Sequence, residues 1–95
     1  MKSMTLVLAL AAATVFSATS PIAAKTCKSD YYTGEASGRT WETGERNAHG
    51  VWSHTVRGHL GKRWSYWSKA NVRDESCDPI SAALQWCKVE AYPCK

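Results

Sequence analysis

The clearest pattern in the chain is a strict alternation near its end, in LQWCKVEAYPC, residues 84–94. Cys87, Val89 and Ala91 fall on one side, and Trp86, Lys88, Glu90 and Tyr92 on the other. That is the period of a half-buried β-strand, ended by Pro93. A weaker alternation runs through YYTGEASGRTW, residues 31–41. Tyr32, Gly34, Ala36 and Gly38 share one parity, which predicts a first strand with an inner face of small residues. Between these segments Ala48, Trp52, Val56 and Leu60 recur every four residues, and Trp64 continues the row. Each step of four drifts by about 40° on an α-helix, so the row spreads over one broad apolar face. Thr43 is the expected N-cap, with acids in the first turn. Gly61, followed by Lys62 and Arg63, is the expected stop, with cations near the negative end of the helix. Gly58 lies inside that helix at a cost of about 1 kcal/mol relative to alanine.

The spacing of Trp64, Trp67 and Ala70 predicts a second, short helical piece. NVRDESC, residues 71–77, reads as an edge strand or a loop. Asp78-Pro79 is expected to cap a turn or a short helix through residues 80–84, since proline suits a first helical position. The order strand, helix, strand, strand gives an α+β fold. It is a small β-α-β-β domain, with one amphipathic helix on a short, mainly antiparallel sheet.

The first 24 of the 95 residues change the picture. Met1-Lys2-Ser3 is a short positive start, residues 4–16 are uncharged and apolar, and Ile22 and Ala24 sit at the −3 and −1 positions before Lys25. That is the layout of a secretory signal peptide, leaving residues 25–95 as one domain. The apolar run is shorter than the roughly 20 residues needed to span a bilayer, so no transmembrane segment is expected in the mature chain. The residues ending at Cys27, AKTC, do not form a lipobox. The alanine-rich leader suggests a bacterial protein that is periplasmic or secreted. Its removal takes Lys2 and Phe16 and leaves 11 lysines and arginines against 8 acids, a net charge of +3. Five tryptophans and four tyrosines remain, which argues against disorder.

Export gives meaning to the four cysteines, all of which lie in the mature chain. An even number in an oxidising compartment predicts two disulfides, and no C-x-x-C spacing suggests zinc. A hairpin turning near Ser81 to Ala83 would set Cys77 opposite Cys87, leaving Cys27 to pair with Cys94. A shifted turn would favour Cys77–Cys94 with Cys27–Cys87. A domain of this size buries only about 60% of its unfolded surface, so such staples matter.

The run A-x-x-x-W-x-x-x-V-x-x-x-x-G (Ala48, Trp52, Val56, Gly61) is followed by W-x-x-W-x-x-A (Trp64 to Ala70), Cys77 and C-x-x-x-A-x-P-C (Cys87 to Cys94). Over residues 48–94 the chain resembles a group of small exported proteobacterial proteins that share this Trp-Gly-Trp-Ala spacing and the A-x-P-C ending. The resemblance implies a fold and carries over no catalytic residues or activity. Cys27 departs from the three-cysteine pattern of the group, which leaves both pairings open.

Candidate chemistry is sparse. His49, His54 and His59 are five residues apart, about 140° around a helix, and do not converge. Glu45 and His49 stand one turn apart, yet no third ligand is identifiable, so a surface capping pair is expected and no metal or other cofactor. Glu42 with Glu45, and Asp74 with Glu75, read as solvated acids, because 71 residues leave little room for a glycosidase cleft. Ser53 and His54 are neighbours that point apart on a helix, and there is no G-x-S-x-G and no unpaired cysteine. An enzyme is not expected.

The stretch from Arg57 to Arg73 interleaves cations with rings. Arg57, Lys62, Arg63, Tyr66 and Lys69 form a candidate binding patch for an anionic partner. Such a stretch would also suit single-stranded nucleic acid, but export argues against that as the physiological partner. The competing structural reading makes the tryptophans core and the cations their solvated rim. The expected function is therefore an exported, non-catalytic domain binding an envelope, surface or host component. The alternative is an inhibitor or toxin-like protein acting on another exported protein.

Overall fold

The computed structural model describes residues 25–95. The predicted signal peptide lies outside the described residues. The chain runs through β1 (Tyr32–Gly38), α1 (Trp41–Leu60), 3-10 turns at Lys62–Trp64 and Trp67–Lys69, β2 (Asn71–Ser81) and β3 (Leu84–Tyr92). The three strands form one sheet in the order β1-β3-β2, and both pairings are antiparallel. The alternating segment is thus the central strand, and one helix covers the sheet. This is the α+β arrangement that the sequence predicts.

The core lies between α1 and β3. Ala48, Trp52 and Val56 from the helix and Cys87, Val89 and Ala91 from the strand are fully buried. Burial of a large apolar side chain stabilises by about 1.5–3 kcal/mol, so Trp52, Val56 and Val89 carry much of the fold. The Trp52 indole N–H, also buried, donates to the Ala91 carbonyl at 3.1 Å. That bond satisfies a polar group that would otherwise be costly inside the protein.

The small inner face of β1 lets the helix sit directly on the strand backbone. A Cβ added at Gly34 would lie 2.3 Å from the Ala48 carbonyl oxygen and 2.6 Å from the Trp52 nitrogen. Gly38 meets the Gly44 backbone in the same way. At the other end of α1, Gly61 adopts φ 97°, and its N–H closes the last turn on the Arg57 carbonyl at 3.0 Å. A positive φ of that kind strongly favours glycine.

Three local expectations are corrected. The N-cap is Thr40, whose hydroxyl accepts from the Thr43 N–H at 3.1 Å, and not Thr43. After Gly61 the chain forms two separate 3-10 turns, Lys62–Trp64 and Trp67–Lys69, and not one helical piece from Trp64 to Ala70. Asp78-Pro79 begins no helix: β2 continues through it to Ser81, with Asp78 opposite Trp86 and Pro79 opposite Gln85. β2 is an edge strand, and its register shifts between Pro79 and Ser81, the setting in which a strand tolerates a residue without an N–H.

Both disulfides follow the first of the two pairings weighed above. Cys77 and Cys87 are cross-strand partners bonded at 2.02 Å, and Cys27 is bonded to Cys94 at 2.08 Å. The second bond joins the arm before β1 to the residues after β3. Backbone bonds from Lys28 to Pro93 and between Thr26 and Lys95 flank it. Among the described residues no helix is long and apolar enough to cross a membrane.

Candidate functional site

Two constellations stand out, and each joins residues distant in sequence. The first is a cleft of about 400 Å³ lined by Thr26, Arg63, Tyr66, Lys69 and Lys95. Its wall is set by the two 3-10 turns, which present Arg63 from the first, Lys69 from the second and Tyr66 between them. Its floor edge is set by the terminal bridge, where the Lys95 N–H donates to the Thr26 carbonyl at 2.8 Å and the Thr26 N–H to that of Lys95 at 3.3 Å. Three cationic residues thus line one cleft, and no Asp or Glu does. Tyr66 is 43% exposed, with the Lys69 ammonium 5.7 Å from its ring centre. Trp64 is half-buried, and the ammonium groups of Lys28 and Lys95 lie over its ring at 4.4 and 5.0 Å.

The five-residue patch read from the sequence is therefore divided. Arg63, Tyr66 and Lys69 come together around the cleft. Arg57 and Lys62 are exposed but do not line it, and their carbonyls instead accept the bonds that close the turns before Gly61 and Ser65. Trp64 and Trp67 pack against the core, as the structural reading of that stretch requires. Thr26 and Lys95 were not found from the sequence. The signal for them was the predicted Cys27–Cys94 bond, because a disulfide also brings together the residues beside it.

The second constellation contains Glu45, His49 and Glu75, whose ligand atoms all lie within 4.8 Å of one another. Glu45 and His49 are one turn apart on α1, and Glu75 comes from β2. His49 Nε2 contacts the Glu75 carboxylate. The imidazole stacks on Trp67 with ring centres 4.0 Å apart and planes at 17°. Trp67 in turn meets Trp52 edge-on at 5.2 Å, which ties the imidazole to the core. Glu42 and Asp74 are not part of this cluster. His54 is exposed, and His59 lies 5.6 Å from the Tyr32 ring, so neither joins His49.

The outer face of the sheet is occupied by polar partners. The Trp86 indole N–H donates to Glu35 at 3.1 Å, and Arg73 donates to Glu90 at 2.6 Å while lying over the Tyr31 ring at 4.4 Å. Tyr31 and then the bond to Glu90 hold the Arg73 guanidinium above its ordinary pKa. These groups satisfy one another, whereas no acid stands among the residues lining the cleft. No protein-family model, curated protein or solved structure matches this chain.

Proposed function

We propose that this chain is an exported, non-catalytic binding domain whose cleft holds an acidic saccharide of the envelope or of a host surface. The observation that carries the reading is that Arg63, Lys69 and Lys95 line one cleft together with Tyr66, with no acid among the lining residues. Three cations of one sign in a concave site focus potential towards an anion. Arginine offers a planar fork that matches carboxylate or sulfate groups, and lysine acts as a point charge. An exposed tyrosine ring supplies an apolar surface with a polar tip, which suits the face of a sugar. A volume of about 400 Å³ falls in the range of small-ligand clefts, large enough for one or two sugar rings. Two disulfides support an oxidising compartment and hence the predicted export.

The test is binding of the mature protein to a sulfated and a uronic-acid polysaccharide, with neutral dextran and anionic vesicles in parallel. Retention on the acidic polysaccharides, weakened by salt and reduced at least about tenfold in R63A/K69A, is the expected result. Binding to the vesicles alone, or equal binding by the double variant, refutes the saccharide reading. Capture of another exported protein without any polysaccharide binding would favour the inhibitor-like alternative.

A further inference from the structure

The sequence offers Glu45 and His49 no third partner, but the fold supplies one. β2 pairs with β3 so that Glu75 stands opposite Val89, and its side chain reaches back to His49. We propose that Glu45, His49 and Glu75 bind one divalent first-row transition ion, with zinc as the best match. The site is separate from the cleft and stands or falls independently of the saccharide reading.

The donor set consists of one imidazole nitrogen and two carboxylates. Imidazole suits zinc and its neighbours, whereas calcium and magnesium call for oxygen ligands alone. A neutral imidazole with two carboxylates carries a charge of −2, which one divalent ion cancels. Among the described residues neither Glu45 nor Glu75 forms an ion pair with a lysine or arginine, so no resident cation competes.

The geometry is close to what a metal requires. Ligands at about 2.0–2.1 Å from a tetrahedral ion stand about 3.3 Å apart. The three donors here lie within 4.8 Å of one another, so modest side-chain adjustment, with Glu75 withdrawing slightly from direct contact with His49, would bring the set to that spacing. The imidazole has less freedom, because it is stacked on Trp67. A ring already oriented loses less entropy when it binds an ion. The His49 and Glu75 side chains are 25% and 30% exposed, so an ion can enter from solvent. Three protein ligands leave the fourth position to water.

The structural effect of the ion is specific. β2 is exposed along almost its whole length, with only Cys77 half-buried. Coordination would fix this edge strand to the helix through Glu75, at a point two residues from the Cys77–Cys87 staple.

The test is titration of tag-free mature protein, purified in chelator-treated buffer, with zinc chloride alone. One zinc per chain is expected, together with a rise in melting temperature. Cobalt chloride is expected to give the visible absorption of a low-coordinate nitrogen–oxygen site. E75Q and E45Q preserve side-chain shape, and each should weaken zinc binding by at least about tenfold. H49A should abolish stoichiometric uptake, whereas H54A and H59A should leave it unchanged. Near-UV circular dichroism establishes that each variant is folded. Absence of stoichiometric zinc in the wild type, or wild-type affinity in folded E75Q, overturns the proposal. So does loss of binding in H54A or H59A.

Discussion

Substitution of Gly34 by alanine tests the central packing decision of the fold. The added Cβ would sit 2.3 Å from the Ala48 carbonyl oxygen, 2.6 Å from the Trp52 nitrogen and 2.8 Å from the Trp52 Cβ. Two of these atoms belong to the helix backbone, so no rotamer change relieves the clash. Restoring an ordinary contact of about 3.4 Å requires α1 to rise from β1 by about 1 Å. A gap of that size forfeits a quarter to a half of the attraction between facing atoms. The atoms affected include Trp52 and Val56, whose burial is worth about 1.5–3 kcal/mol each. Together with the residual overlap, a loss of about 3 kcal/mol is expected. For a domain of this size that lowers the melting temperature by more than about 12 °C.

The control lies in the same helix. Gly50 has nothing within 4 Å of an added Cβ, and it is exposed. Gly50→Ala should therefore stabilise by about 0.5–1 kcal/mol through helix propensity and reduced freedom of the unfolded chain. Thermal and urea unfolding with both disulfides intact measure the two variants side by side. A G34A protein within about 0.5 kcal/mol of the wild type would refute the contact of helix and strand backbones.

Further outcomes follow from other contacts. Trp52→Phe removes the indole N–H from the Ala91 carbonyl and should cost about 2 kcal/mol in urea unfolding, from the unpaired acceptor and the lost volume. Removing the Cys27–Cys94 bond by a double serine substitution should cost about 4 kcal/mol, and removing Cys77–Cys87 about 3 kcal/mol, because the first closes the longer loop. The first variant should also lose affinity for acidic polysaccharide, since Thr26 and Lys95 sit beside that bond, and column retention measures it. Amino-terminal sequencing of the exported form should begin at Lys25, and an intact Met1 outside the cytoplasm would contradict the leader reading.

The legible parts of the fold were those whose signal is local and periodic. The faces of β3 and of α1 are buried as their spacing predicts, because each alternation reports directly on which side meets the core. The hairpin turn falls at residues 82–83 for a related reason: the strand flanking it on one side was unambiguous. Sequence and structure part where a local preference competes with a long-range partner. Asp78-Pro79 has the propensity to start a helix, but β3 offers its neighbours a strand to pair with, and an exposed edge accepts proline. The sequence points to Thr43 as N-cap, but the helix starts one turn earlier at Thr40, where Gly38 packs against Gly44, a contact beyond the reach of a local pattern. Glu75 was missed as a neighbour of His49 for the same reason, since the register of an edge strand with little apolar alternation is set by its partner.

The Cys27–Cys94 bond closes residues 27–94 into a covalent ring, and the Cys77–Cys87 bond divides that ring into two. A protease that cuts the backbone once between Lys28 and Pro93 therefore releases nothing. Every fragment stays tethered to the rest, and the cut ends remain available to return to their places in the sheet. Wherever the chain meets a protease, this wiring makes a first cleavage a survivable event. Loss of the molecule then requires either reduction or a second cut in the same ring.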